Sequence, residues 1–399
     1  MFPRLRFKKF DGDWEKTTIG AKSETVTSGS RDWAQYYSDS GDKFIRMTNL
    51  VRNGINLDLS DLRFVQLPVG SNEGKRTSLE KGDILISITA ELGKLGWIPE
   101  GLGTAYINQH TALVRMKNTL DSKFVAYALS TEKYNNKLNS LNDSGAKAGL
   151  NLGSIRSFEL TIPSKPEQTQ IASFLSVVDE KISQLTQKLE LLSQYKQGMM
   201  QKLFSQQVRF KADDKSEFGE WEEKELKDIA EINPKSKKLP ESFIYIDLES
   251  VEKGQLLLQK NIELQDAPSR AQRLLAKGDV LFQMVRPYQQ NNYYFNLSGE
   301  YVASTGYAQI RTKLDSKFIY YALHEKTFLD EVMNRCTGTS YPAINSSDLS
   351  SIEILIPCLE EQTKIANFLS SIDQKIEVVA QQIEQAKQWK KGLLQQMFI

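Results

Sequence analysis

One segment of about 44 residues occurs twice in this chain, and a repeat of that length limits what the remainder can build. Ile162 to Ser205 reads IPSKPEQTQIASFLSVVDEKISQLTQKLELLSQYKQGMMQKLFS, and Ile356 to Ile399 reads IPCLEEQTKIANFLSSIDQKIEVVAQQIEQAKQWKKGLLQQMFI. The copies align without a gap at an offset of 194 residues and are identical at about 20 positions. Apolar residues fall at Ile171, Leu175, Val178, Ile182, Leu185, Leu189, Leu192, Met199 and Leu203, in steps of four and three that mark a heptad seam. Ile365, Leu369, Ile372, Ile376, Val379, Ile383, Ala386, Leu393 and Met397 keep the same phase in the copy. Each segment predicts a helix roughly 60 Å long at about 1.5 Å per residue. Two narrow apolar stripes in one chain are most simply buried against each other, as an antiparallel intramolecular coiled coil. A homodimeric coil between chains is the alternative. Lys196 and Lys390 sit on the seams, where a polar residue fixes register at a cost in stability. Glu167 and Glu361 are candidate partners for them. Ser164-x-x-Glu167 predicts a capping box, and Cys358 weakens the equivalent cap in the copy.

The segments preceding the helices are related more loosely. Arg6-Phe7 followed by Trp14 recurs as Arg209-Phe210 followed by Trp221. Lys81-Gly-Asp-Ile-Leu-Ile recurs as Lys277-Gly-Asp-Val-Leu-Phe, and Asp121-Ser-Lys-Phe recurs as Asp315-Ser-Lys-Phe. Each Lys-Gly-Asp turn launches an apolar strand, Ile84 to Ile88 and Val280 to Val285. Phe44 to Asn49, Phe243 to Leu248, Phe158 to Ile162 and Ile352 to Ile356 also read as strands. Asp121 to Tyr134 and its copy read as short helices with Asp as N-cap. The expected fold class is α+β: two similar mixed α/β globules joined by two long helices, related by a pseudo-twofold repeat. The expected domains are residues 1–163, a spacer helix over 164–206, residues 207–357, and a second spacer helix over 358–399.

No reaction centre is evident in the sequence. Two histidines and two cysteines, scattered as His110, His324, Cys336 and Cys358, make no zinc site. Gly70-Ser-Asn-Glu-Gly74-Lys75 is one residue short of a P-loop. No S-adenosylmethionine pocket is evident, and Glu222-x-Lys224 has no upstream Pro-Asp for a two-metal nuclease. No signal peptide or membrane span is evident, so a cytoplasmic protein without membrane contact is expected.

Candidate binding surfaces are clearer. Ser30, Arg31, Trp33 and Tyr36 lie in a polar loop that precedes Arg46, Asn49 and Arg52. The second globule offers Arg286, Tyr288, Gln289, Gln290, Asn291 and Asn292 after its Lys-Gly-Asp strand. Arginine pairs with guanine, and Asn or Gln with adenine, through two hydrogen bonds in the major groove. The alternative role of such residues is turn formation and hydrogen bonding to local backbone. Thr89, Lys94, Lys147, Arg270, Arg273, Ser340 and Tyr341 complete the candidate DNA-binding set. Lys and Arg against Asp and Glu number 22 to 18 over residues 1–163 and 19 to 23 over 207–357, so the chain alone should bind DNA poorly. Partners must contribute positive surface.

Taken in order, these motifs resemble those of the specificity (S) subunits of type I restriction–modification systems. The carriers are Pro163-x-x-x-Glu167-Gln168-x-x-Ile171-Ala172 and its copy Pro357-x-x-x-Glu361-Gln362-x-x-Ile365-Ala366, the Lys-Gly-Asp turns, the Arg-Phe…Trp openings and Arg286-Pro-Tyr288. Ser30-Arg31-Asp-Trp33 with Phe44-Ile-Arg46-x-x-Asn49 resembles a target-recognition sequence of that family. The resemblance implies two target-recognition domains, each reading one half of a split double-stranded DNA sequence, with the helices as spacer. It implies no catalysis and no cofactor on this chain. Two methyltransferase (M) subunits would bring S-adenosylmethionine and methylate adenine, and two restriction (R) subunits would bring ATP and Mg. Cys358, where the family often has proline, and Thr89-Ala90-Glu91, where a glycine commonly follows the threonine, depart from its pattern. A coiled-coil scaffold whose globules bind protein is the competing reading, and a self-sufficient nuclease or methyltransferase is a third.

Overall fold

The structure, a computed structural model, describes residues 3–141, 149–235 and 238–398. The two seam segments form helices Lys165–Phe204 and Leu359–Met397, which pack together. The chain divides into two compact units, residues 1–186 with 381–399, and residues 187–380. In the first unit Ile171, Leu175 and Val178, near the start of the first helix, share a core with Leu393 and Met397, near the end of the second. In the second unit Leu203 shares a core with Ile365, Leu369 and Ile372. Early turns of one helix therefore meet late turns of the other, which is antiparallel pairing. Ile182, Leu189, Leu192, Ile376, Lys196 and Lys390 are half-buried, and Leu185, Val379 and Ile383 are buried.

The globule of the first unit is built on two four-stranded sheets. Its first sheet runs Ser23–Ser28, Thr111–Met116, Ile84–Ser87, Leu95–Trp97, all antiparallel. The second unit repeats that order with Ala230–Ile232, Tyr307–Thr312, Val280–Gln283 and Tyr293–Tyr294. The central strands Ile84–Ser87 and Val280–Gln283 are buried along their whole length, as their continuous apolar runs require. Each follows its Lys-Gly-Asp turn for a visible reason. Gly82 and Gly278 take φ of 90° and 94°, and the next carboxylate ties the turn to the neighbouring strand. Asp83 accepts from Glu80 N and Arg115, and Asp279 accepts from Ala276 N and Arg311. Those hydrogen bonds raise the pKa of Arg115 and Arg311.

The second sheets differ. The first unit orders Tyr37–Ser38, Arg63–Val65, Asp42–Ile45, Ala105–Ile107; the second orders Lys260–Glu263, Ser242–Ile246, Tyr301–Ser304, Ala271–Leu274. A parallel pair is common to both, Asp42–Ile45 with Ala105–Ile107 and Ser242–Ile246 with Tyr301–Ser304. Ala271–Leu274 adds an edge strand on one side in the second unit, while Tyr37–Ser38 adds one on the other side in the first.

Some expectations are corrected. The strand expected over Phe44 to Asn49 ends at Ile45, because buried Asn49 turns Met47–Asn49 into a tight 3-10 turn by accepting from Arg46 N at 2.9 Å. The helix expected over Asp121 to Tyr134 is two, Ser122–Ser130 and Glu132–Ser140, since Thr131 is extended and its hydroxyl caps the second. Asp121 and Asp315 do cap their helices, each accepting two backbone N–H bonds.

The repeated Glu-Gln-Thr run explains how globule and helix join. Both oxygens of Glu167 accept from Arg6 at 2.7 and 2.8 Å, and both oxygens of Glu361 accept from Arg209 at 3.1 and 2.7 Å. Glu167 is thus committed to Arg6 and not to the expected capping box. Trp221 Nε1 also donates to Glu361, at 3.1 Å. Gln168 donates to Pro163 O and accepts from Asp121 N, and Gln362 repeats this with Pro357 and Asp315. The side-chain hydrogen bonds from Glu167 and Glu361 push the pKa of Arg6 and Arg209 up.

The seam lysines pair with neither glutamate. Lys390 reaches Asp179 at 2.5 Å, and Asp179 also accepts from Tyr127 OH at 2.7 Å. Lys196 reaches Asp373 at 2.6 Å, and Asp373 accepts from Tyr321 OH at 2.6 Å. Each lysine also lies over the ring of its tyrosine. Each node therefore ties both helices to a globule.

Candidate nucleic-acid interface

A loop leaves the central strand of each first sheet and meets a segment that precedes a short helix. Thr89 forms a bridge with Gly149, and Val285 forms one with Ala343. The residue after each is left-handed: Ala90 at φ 54° and Arg286 at φ 54°. A glycine would sit there without strain, whereas Ala90 holds the position at some cost.

A connecting turn supports each loop. In the first unit it is Asn108 to His110: Ile88 N donates to His110 O, and Gln109 N donates to Ser30 O. In the second it is Ser304 to Gly306: Met284 N donates to Gly306 O at 3.0 Å, and Thr305 N donates to Arg270 O at 2.9 Å. Both units thus assemble one surface from a loop tip, a connecting turn and a flanking segment. Asn108 and Gln109 are not among the sequence candidates and His110 figures there only as a rejected metal ligand, although a run of three polar residues between two strands is a usable signal. His110 Nδ1 lies 2.8 Å from Thr89 Oγ1, and His110 Nε2 lies 3.0 Å from Gln109 Nε2. Gln109 donating to Nε2 and Nδ1–H donating to Thr89 satisfies all three groups and leaves the Thr89 hydroxyl proton free.

The other described candidates of the first unit fall into four groups. Ser30 donates to Glu73 at 2.5 Å, and Arg31 beside it is exposed. Trp33 is buried, with its ring 4.9 Å from Phe44 and 5.2 Å from Tyr106, and Tyr36 packs at its edge. Arg46 is held by Asp61, and buried Asn49 donates to the Asp58 and Asp61 carbonyls. Arg52 and Lys94 gather at the loop tip: Arg52 donates to Leu92 O, and Lys94 pairs with Glu91 at 2.7 Å, holding that carboxyl below its ordinary range. Lys147 lies outside the described residues.

In the second unit the amides divide: Asn292 is buried, Gln290 and Asn291 are half-buried, and Gln289 is exposed although its side chain bonds within the loop. Buried Gln283, which the sequence reading did not single out, donates to Val285 O at 2.8 Å and to Gln289 Oε1 at 2.9 Å, and accepts from Asn291 N at 3.0 Å. Asn292 is buried and accepts from Gln283 N at 2.8 Å. Asn291 Oδ1 accepts from Lys253 N. Gln290 is left-handed at φ 52° and half-buried. Outward with Gln289 are two aromatics: Tyr288 is 50% exposed and Tyr341 63% exposed, with exposed Ser340 beside it. Arg286 lies over the Tyr341 ring, 4.2 Å from its centroid. Arg270 is exposed, while Arg273 is half-buried and burial lowers its pKa. His324 donates from Nδ1 to Tyr320 O at 2.7 Å and accepts at Nε2 from Asn292 at 3.4 Å. Burial pushes its pKa down to about 4.

Among the described residues no group of three or more His, Cys, Asp or Glu could hold a metal ion, and no helix is long and apolar enough to cross a membrane. The family model described as the type I restriction modification DNA specificity domain matches residues 12–194 and 219–388. Two similar proteins come from Methanocaldococcus jannaschii. The putative type I restriction enzyme MjaX specificity subunit is 28% identical, over 98% of this chain and 94% of its own length. The type I restriction enzyme MjaVIII specificity subunit is 29% identical over 59% of this chain and 60% of its own length. Among solved structures, the type I restriction–modification system S subunit from M. genitalium matches 100% of this chain and 99% of its own at 16% identity, with a TM-score of 0.64. A chain from a study of complex assembly and conformational transition of the type I R-M system matches 96% of this chain and 97% of its own at 14% identity, with a TM-score of 0.52. At those identities the two structures bear on the fold.

Proposed function

This chain belongs to the type I restriction–modification DNA specificity subunits, whose domain model matches it twice, and from that premise we propose that it reads a bipartite double-stranded DNA target, one half-site per unit. The observation that carries the proposal is the repeated surface: each unit frames a loop tip on the same sheet and fills it with different side chains. A common frame with divergent tips suits two readers of two sequences. Base-edge contacts come from Thr89, Arg31, Arg52 and the Asn108–His110 turn in the first unit, and from Arg286, Tyr288, Tyr341 and Arg270 in the second. Trp33, Asn49, Gln289, Asn291 and Asn292 hold the loops that present them.

The paired helices act as the spacer between half-sites and as the docking surface for two methyltransferase subunits, with two restriction subunits completing the complex. Adenine methylation and restriction, with S-adenosylmethionine, ATP and Mg, belong to those partners, and the complex works in the cytoplasm. The near balance of charge in this chain fits a division of labour in which partners supply most phosphate contacts.

The test is methylome sequencing of cells that express this chain with its cognate methyltransferase subunit. Exchanging residues 207–357 for those of another specificity subunit should change one half of the methylated sequence and leave the other half and the gap unaltered. An exchange that leaves both halves unaltered overturns the proposal.

A further inference from the structure

We propose that Arg286 reads one guanine in the half-site of the second unit, an inference that rests on the DNA-reading function above. The left-handed backbone at Arg286 is fixed on both sides. Its N–H donates to Pro342 O at 2.7 Å, and its carbonyl accepts from Gln289 N at 3.0 Å. The Gln283 and Asn292 amides brace the loop from within. Little ordering is left to be done on binding.

The guanidinium lies against the Tyr341 ring, whose 63% exposure puts the stack at the surface. Among the described residues no ion pair is formed by Arg286, and its buried Nε has no hydrogen-bond partner. A guanidinium stacked through its face keeps its N–H donors in the plane of its edge, as a fork. A side chain with donors alone selects among bases. Guanine presents two acceptors, N7 and O6, in the major groove; adenine presents one acceptor and one donor, and cytosine a donor. The fork therefore fits guanine. In the first unit the same left-handed position holds Ala90, which carries no donor.

The experiment uses the full chain with its methyltransferase subunits and compares methylomes for wild type, R286A, R286K and Y341L. Lysine keeps the charge but loses the planar fork. The expected result is that R286A and R286K both relax one guanine in one half-site, with about a tenfold or greater loss of preference there, while every other position holds. Y341L, which removes the platform, should lower preference at the same guanine by a smaller factor. Full specificity in R286K, with R286A lowering methylation uniformly across sequences, identifies a phosphate contact and overturns the inference. So does an unchanged sequence in all three variants. If the 207–357 exchange still moves one half-site, the guanine assignment alone falls; if it does not, the proposed function falls as well.

Discussion

In the first unit Tyr127, Asp179 and Lys390 meet where a globule touches both long helices, and in the second Tyr321, Asp373 and Lys196 make the same join. Arg6 on Glu167 and Arg209 on Glu361 repeat just as closely. The loop tips share a backbone and little else: Ala90 stands beside a Lys94–Glu91 pair, and Arg286 stands on Tyr341. The ion pairs that build the frame are thus duplicated, with Trp221 Nε1 adding a donor to Glu361 that Trp14 does not give Glu167, while the surface it presents has diverged. The difference separates positions that decide whether a unit stands from positions that decide what it touches.

The largest effect that could break this comparison lies at the buried carboxylates. Arg209→Met leaves Glu361, whose side chain is 0% exposed, without its ion-pair partner, and should cost about 3–5 kcal/mol. Arg6→Met should cost a similar amount through Glu167. Urea denaturation of each variant measures both. A large cost in one unit and none in the other would show that the two joints are not equivalent.

A smaller effect sharpens the comparison through pH. His324 has no counterpart in the first unit, where Ser130 holds the equivalent place. Its folded pKa, about 4, lies below the ordinary histidine value, so the unfolded chain takes up a proton first as pH falls. Above about pH 6.5 the group contributes no pH dependence, and stability is lost between about pH 6.5 and 4. At pH 5 the loss should be about 1–2 kcal/mol. Protonation also removes the acceptor for Asn292, which braces the second loop. Hydrogen exchange at pH 7 and 5 should show residues 283–292 loosening first, and His324→Leu should abolish the pH effect. Equal loosening at residues 87–94 would assign it to another group.

The frame was legible in the sequence because it is periodic and repeated. The heptad seams gave the helices and their pairing, and Lys-Gly-Asp announced the turn into each central strand. Partner identities were not legible. Glu167 and Lys196 both sit on long helices, and only tertiary placement shows that one meets Arg6 and the other Asp373. Which amides of the run after Arg286 are committed to the protein was not legible for the same reason. Asn and Gln bond backbone as readily as bases, and only the fold shows that Asn292 is buried while Gln289 is exposed. Trp33 likewise looked like a surface aromatic and packs beneath Gly74 and Tyr106.

The two lysine nodes test whether equal chemistry means equal energy. Lys390 and Asp179 are 12% and 11% exposed, whereas Lys196 and Asp373 are 23% and 37% exposed. Solvent weakens an ion pair, so Lys390→Met should cost about 1–2 kcal/mol and Lys196→Met under about 1 kcal/mol. Thermal melting with 0.1 M and 1 M salt separates them, because screening should lower the second contribution more than the first. A larger cost at Lys196 would mean that the second node carries register by itself.

The smallest effect returns to the loop tips, where backbone and side chain can be varied apart. Ala90 and Arg286 share a φ of 54°, which a non-glycine residue occupies at some cost. Ala90→Gly should relieve that strain, offset in part by the greater freedom of glycine in the unfolded chain, for a net gain of about 0.5 kcal/mol. It removes one methyl group and no donor, so the first half-site in the methylome should be unchanged. Arg286→Gly gives the same relief to the backbone but removes the fork, and one guanine in the other half-site should be lost. A relaxed first half-site in Ala90→Gly would mean that the methyl group itself meets a base, and that the first tip reads from the same position as the second.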